Sequence, residues 1–288
     1  MRNIAFEILE VLFNLFDNLC ELRSKKKLSK TEAHENTIWN YGSNQIEVLA
    51  FIPFTFFNSE LFQQFPTLIF QKISIKNFML KISQFKKSYS TGFELKIDSL
   101  QLPKGIHLIK GENGSGKSTL LKAIAGIHDF GGDITLEGIA IKKDPVRFRE
   151  IVNYSDAEPM FPDFLNLDEL IAFVADTKGA DSAQIHHLKT ELGIGGYAKN
   201  PLASYSSGML KKAGLILAFI GNPRLIILDE PFTTIDVETQ ARLKKLVLSH
   251  VADGKSFLIT SHLADFEKLF EYSSILEITD GKLSKVYG

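Results

Sequence analysis

The stretch Gly111-Glu112-Asn113-Gly114-Ser115-Gly116-Lys117-Ser118-Thr119 constrains this chain of 288 residues more than any other, because it matches G-x-x-x-x-G-K-[ST] without a mismatch. Glycines let such a loop curl until successive backbone N–H groups point inward at a phosphate. The lysine sets an ammonium against the outer phosphates, and the hydroxyl after it completes a Mg²⁺ shell. The flanks agree: Ile106-His107-Leu108-Ile109 reads as a short buried strand, and Leu120, Leu121 and Ile124 recur at helical spacing from Lys117 onward. Strand, glycine loop and helix in that order predict an α/β fold whose phosphate site lies at the C-terminal edge of a parallel sheet. Thr177-Lys178-Gly179-Ala180-Asp181 has its aspartate one place too late for a guanine-reading motif.

A second acidic site follows. Leu225-Ile226-Ile227-Leu228 reads as a buried parallel strand ending in Asp229-Glu230, at the sheet edge where ligands bind. Asp229 is expected to hold Mg²⁺ together with Ser118, and Glu230, just beyond the strand, to reach a water in line with the γ-phosphate. Between the two sites, Tyr205-Ser206-Ser207-Gly208-Met209 opens an apolar helix that runs to Phe219 and stops at Gly221-Asn222-Pro223. A serine and glycine at a helix start make a second phosphate-binding cap. With one phosphate loop already in the chain, this cap is expected to serve a nucleotide on another molecule.

Composition limits the partners. A net charge of −1 with 44% hydrophobic residues gives no general attraction to nucleic acid or anionic lipid, and none is expected. The single cysteine, Cys20, excludes an intrachain disulfide and a thiolate metal cluster, and fits a reducing cytosol. The apolar stretch from Val48 to Phe70 carries Asn58, Glu60, Gln63 and Gln64 at its centre, which argues against a membrane span. The start Met1-Arg2-Asn3 does not read as a secretion signal.

The chain changes character near residue 79, since 11 of its 23 phenylalanines fall in residues 1–78. Asn3, Glu7, Glu10, Asn14, Asp17 and Glu21 put one polar stripe on an otherwise apolar helix over about residues 3–22. Its acidic stripe suits packing against protein rather than an anionic membrane. Two readings of residues 1–78 stand side by side: a genuine extension, or translation from upstream of a functional start at Met79. Met79-Leu80-Lys81-Ile82 reads as the first edge strand of the downstream domain, residues 79–288. Within it Asn166 and Glu169 form a capping box that opens an inserted helical lobe over about residues 160–205.

In the order of these segments, residues 79–288 resemble the nucleotide-binding subunits of the ATP-binding cassette family. Phosphate loop, helical insert, signature segment, Leu228-Asp229-Glu230-Pro231, Thr233-Thr234-Ile235-Asp236 and Ile259-Thr260-Ser261-His262 form the cassette series. The resemblance implies a P-loop NTPase core with a mostly parallel sheet, a small antiparallel β subdomain and an inserted helical subdomain. It implies ATP and Mg²⁺, a head-to-tail pair with a second nucleotide-binding subunit, and a separate transmembrane permease that keeps the protein cytoplasmic at the inner face of the membrane. Carried over residue by residue, Gly111, Asn113, Gly114, Ser115, Gly116, Lys117, Ser118 and Thr119 hold the phosphates. Glu230, His262 and Lys117 act in hydrolysis, Tyr89 stacks on adenine, and Ser206, Gly208 and Asp236 belong to the dimer contact. The signature keeps only the serine and second glycine of the usual Leu-Ser-Gly-Gly-Gln, a variant that tilts the reading toward export. At the loop that usually supplies a glutamine, Tyr154-Ser155-Asp156-Ala157-Glu158-Pro159 has Ala157, so Asp156 or Glu158 substitutes, or hydrolysis is slow. The rivals are a soluble cassette ATPase acting on DNA or protein assemblies, a translation factor, and a weakly hydrolysing regulatory cassette.

Overall fold

The computed structural model describes residues 28–33, 36–41, 44–47, 79–90, 92–262 and 264–287. The chain divides into two units, Met1–Asn77 and Phe78–Gly288. In the first, β1 (Leu28–Ala33), β2 (Asn36–Tyr41) and β3 (Asn44–Glu47) form an antiparallel sheet in that order, in register Leu28 to Tyr41 and Tyr41 to Asn44. These strands are not among the elements expected from the sequence. The amphipathic helix expected over residues 3–22 and the apolar stretch from Val48 to Phe70 lie outside the described residues.

The second unit is a mixed α/β domain. Its strands are β4 (Leu80–Ser88), β5 (Glu94–Leu102), β6 (Ile106–Lys110), β7 (Gly131–Leu136), β8 (Ile139–Ala140), β9 (Val152–Ser155), β10 (Leu225–Leu228), β11 (Ser256–Thr260), β12 (Ser274–Thr279) and β13 (Lys282–Tyr287). They join one sheet in the order β8-β7-β4-β5-β13-β12-β6-β11-β10-β9. From β12 to β9 every neighbour is parallel, and β8, β7, β4 and β5 pair antiparallel at the other side. The expectation of a mostly parallel sheet with an antiparallel β region is met. The expected edge position of Met79–Ile82 is not: β4 lies between β5 and β7, because the chain returns some fifty residues later to pair Leu136 with Leu80. The edges are β8 and β9.

The helices are α1 (Lys117–Ile124), α2 (Pro145–Glu150), α3 (Leu167–Lys178), α4 (Ser182–Glu191), α5 (Ser207–Phe219) and α6 (Val237–Ala252). Each begins where a short polar side chain can take an orphan amide, with one exception. Asp144, Asn166, Asp181, Ser206 and Asp236 cap α2 through α6, and Asn166 with Glu169 completes a capping box. Only α1, among these helices, starts on a glycine with no side-chain cap. Two apolar layers cover the sheet. One, with Phe219, Phe257 and Phe266, includes α3, α5 and α6; the other, with Phe85, Leu120 and Phe148, includes α1 and the antiparallel strands. The parallel strands β10 and β11 are buried along their whole length, as sheets covered on both faces require.

One buried titratable group sets a pH limit on this fold. His107 in β6 is fully buried, its Nε2 lies 2.9 Å from the Pro103 carbonyl and its Nδ1 2.7 Å from the Ser274 hydroxyl. A carbonyl only accepts, so Nε2 carries the proton and Nδ1 accepts from Ser274. Burial pushes this imidazole down from 6.5 to about 4, against the opposing Pro103 carbonyl bond. The unfolded chain therefore takes up a proton below pH 6.5 that the folded chain refuses, and stability falls as pH drops from 6.5 toward 4. Between pH 7 and pH 5 the loss is expected to be about 2 kcal/mol. Urea unfolding of the protein and of His107→Gln at both pH values checks this: the variant should lose the extra pH dependence, and an equal pH slope in both would refute it.

Candidate nucleotide-binding site

The C-terminal ends of β6, β11 and β10 lie side by side, so three segments far apart in sequence converge at one sheet edge. From β6 the chain enters the loop 111–116 and then α1. Gly116 adopts φ 111°, a left-handed conformation that favours glycine, and a Cβ there would press on the Phe93 ring at 2.9 Å. The uncapped start of α1 leaves its first amides turned toward the loop's concavity, an anion-binding arrangement. Lys117 is buried, and its ammonium donates to the loop's own carbonyls at Gly111 (2.7 Å) and Glu112 (3.0 Å). The Ser115 hydroxyl is buried without a hydrogen-bond partner. Asn113 and Gly114 are exposed at the loop's tip, and Ser118 and Thr119 are half-buried at the start of α1.

At the end of β10, Asp229 is fully buried. Its carboxylate accepts from the Thr260 hydroxyl at 2.5 Å and from the Tyr154 hydroxyl at 3.4 Å. Burial, reinforced by Asp229 and Asp156, pushes the Tyr154 hydroxyl far up and keeps it a donor. The same Thr260 oxygen accepts from the Glu230 amide at 2.8 Å, so one hydroxyl from β11 fixes both acidic positions. Glu230 has φ 47°, a left-handed conformation that costs a non-glycine residue of order 1 kcal/mol and persists only where surroundings impose it. His262 Nδ1 lies 3.0 Å from a Glu230 oxygen, near enough for an ion pair. The alignment does not make a hydrogen bond, and both Glu230 oxygens are buried without one.

Tyr89, on the turn after β4, is about one-third exposed. Its hydroxyl lies 3.4 Å from Thr119 of α1 and 3.4 Å from His128 Nδ1, and its ring stands 6.3 Å from Phe93. The aromatic group expected at the base is therefore beside the phosphate loop.

A second group gathers at the start of α5. Ser206 caps the helix by accepting from the Met209 amide at 3.3 Å. A Cβ on Gly208 would stand 2.7 Å from the Thr234 carbonyl, so the helix and the segment after β10 approach too closely for any other residue. Asp236 caps α6 through the Thr239 amide and pairs with Lys212 of α5 at 2.8 Å. Its carboxylate is held well below the usual range by Lys212 first, and then by Thr239. In the loop after β9, Asp156 is engaged by Lys122 at 2.8 Å, whereas Glu158 is exposed.

Four residues with clear contacts here carry no role in the sequence reading. Phe93 backs Gly116, Tyr154 and Thr260 hold Asp229, and Lys211 of α5 donates to backbone carbonyls at the ends of β9 and β10. Lys211 alone had a legible signal. It shares a helical face with Leu215 and Ala218, which the apolar pattern of α5 assigns to the core.

A family model described as ABC transporter matches residues 95–233. The lantibiotic transport ATP-binding protein SrtF of Streptococcus pyogenes is 30% identical over 208 residues, covering 71% of this chain and 89% of that protein. The aliphatic sulfonates import ATP-binding protein SsuB 2 of Burkholderia cenocepacia (strain HI2424) is 33% identical over 60% of this chain, which spans only 63% of that relative. A solved structure of an ATP binding subunit of an ABC transporter superposes with a TM-score of 0.65 at 23% identity, covering 73% of this chain and 90% of that one, and so shares the fold. With the phosphate loop, the Asp229-Glu230 strand end and these relatives in agreement, the chain belongs to the ABC transporter family and is an ATP-binding subunit that hydrolyses ATP.

Proposed function

We propose that residues 79–288 work as a two-fold pair in which each nucleotide lies between the phosphate loop of one copy and the Ser206 cap of the other, driving a separate membrane permease. The observation that carries this reading is the Glu230 carboxylate, buried and without a hydrogen-bond partner at the end of β10. An acceptor that no hydrogen bond occupies, with the His262 imidazole 3.0 Å away, can take the proton of an attacking water. The donor set suits a hard cation: Ser118 and Asp229 offer oxygens, and the Ser115 hydroxyl and uncapped α1 amides offer donors to phosphate. Mg²⁺ bound there would neutralise charge on the phosphate oxygens. Lys117, now parked on the Gly111 and Glu112 carbonyls, has stronger acceptors to turn to when a triphosphate arrives. His262, beside Glu230, is suited to hold the γ-phosphate, and Tyr89 to stack on the base.

The permease is assigned to a groove of about 500 Å³ between the core and the inserted helices, lined by Ile127, Val146, Val152, Val174 and Leu217. Ile127 and Val146 are more than half exposed there, so apolar area is left to cover, as a docking surface needs. Tyr154 also lines the groove and bonds Asp229, which links that surface to the metal position. No described helix is long and apolar enough to cross a membrane, in keeping with a separate permease and a peripheral position on it. The Tyr205–Met209 variant favours an export partner. Because an import subunit is among the relatives, direction is assigned to the permease rather than to the cassette.

Mixing two inactive variants tests the shared site. Lys117→Met removes the phosphate contact and Ser206→Arg blocks the cap, and each alone should hydrolyse little ATP. Mixed at equal amounts, half the pairs combine one of each and hold one intact composite site, so about a quarter of wild-type turnover should return. No recovery on mixing would overturn the two-copy site.

A further inference from the structure

Lys211 is 1% exposed, an unusual place for a lysine, and its ammonium makes one short contact for each of its hydrogens. It donates to the carbonyls of Asp156 (3.1 Å), Ala157 (2.8 Å) and Asp229 (2.9 Å). The ladder between β9 and β10 ends at Ser155 and Leu228, so these carbonyls lie just past the point where strand pairing supplies donors. Burial pushes the ammonium down to about 8, and Asp229, Glu230, Asp156 and Glu158 oppose that shift.

The Asp229–Glu230 peptide is thereby held at both of its polar atoms. Lys211 takes its carbonyl oxygen, and Thr260 takes its N–H at 2.8 Å. This is the peptide that enters Glu230 at φ 47° and so aims its carboxylate, which no hydrogen bond holds. The same ammonium holds Ala157, where the side chain offers nothing polar, by its backbone. Lys211 lies five positions after Ser206 in sequence, so one side chain links the start of α5, the Ala157 loop and the Glu230 peptide.

We propose that Lys211 is a positioning residue for hydrolysis, which holds the Glu230 carboxylate in line through the Asp229–Glu230 peptide and ties that peptide to the Ala157 loop. This rests on the reading of Glu230 as the base. A lysine that only filled the core would affect folding and leave the chemical step of the folded protein untouched.

A cycle of Lys211→Met and Glu230→Gln in the full chain tests it, with nucleotide affinity and KM measured beside kcat. Lys211→Met keeps the aliphatic stem and removes the donors. Affinity and KM should stay within about threefold while kcat falls about tenfold or more, and Lys211→Gln, with two N–H donors, should recover part of it. In the Glu230→Gln background the same substitution should change residual turnover by less than about twofold, since nothing remains to be aimed. A wild-type kcat in Lys211→Met, or an equal fold loss in both backgrounds, overturns the inference. If Lys211→Met does not fold by circular dichroism, Lys211→Gln carries the cycle under the same criteria. Normal turnover in Glu230→Gln would instead remove the base reading itself, so the two failures are distinct.

Discussion

Glu230→Gln is expected to bind ATP with unchanged affinity and to hydrolyse it about 10²–10⁴ times more slowly, the range for losing a general base. The substitution is nearly isosteric, and the contacts that set the backbone at this position, the Thr260 hydroxyl on its amide and Lys211 on the preceding carbonyl, involve no atom of the side chain. What changes is the proton acceptor. Both carboxylate oxygens are buried without hydrogen bonds, and their close polar neighbour is the His262 imidazole at 3.0 Å. Since the nucleotide stays intact, the two-copy complex should also accumulate with ATP and Mg²⁺ and be seen by sedimentation. Steady-state turnover equal to wild type would sink the base assignment. Slow turnover accompanied by lost ATP binding would mean that Glu230 supports the pocket rather than the chemistry.

How much of this was readable in advance divides along a physical line. Features set by a run of neighbours along the chain were legible. The Gly111–Thr119 loop, the strand Leu225–Leu228 and the Asn166 capping box each depend on local spacing, and all three have the expected local structure. Features that depend on which strands become neighbours were not. Alternation marks β4 as a strand, but its two partners, β5 and β7, follow from chain return that spacing alone does not encode, and so an inner strand read as an edge. The role of Thr260 was hidden for the same reason. Its hydroxyl matters only because β11 inserts between β6 and β10, which brings it within hydrogen-bond reach of Asp229 and Glu230. The loop after β9 shows the limit from the other side. The missing glutamine was visible at Ala157, and of the two flanking carboxylates proposed to replace it, Asp156 is engaged by Lys122. Sequence order favours Glu158, since Pro159 after it restricts its backbone, and Glu158 is the exposed one of the two.

Lys117→Met is expected to weaken ATP binding by about thirtyfold. Near a protein surface, two unit charges 4 Å apart attract by about 4 kcal/mol, so an ammonium against the outer phosphates is worth about 10³ in affinity before costs. Part of that is offset, because Lys117 must leave two carbonyl bonds at Gly111 (2.7 Å) and Glu112 (3.0 Å), each worth about 1 kcal/mol net. The remainder is of the order of the stated loss. Those carbonyl bonds also separate binding from folding: they are the Lys117 hydrogen bonds among the described residues, so unfolding without nucleotide should shift by about 1–2 kcal/mol. Titration with a fluorescent ATP analogue and denaturant unfolding of the same preparation measure the two quantities. A loss of affinity under about fivefold would show that the α1 amides carry the phosphates without the lysine. A large loss of stability in the absence of ATP would mean that the lysine's main role is to brace the loop on its own carbonyls.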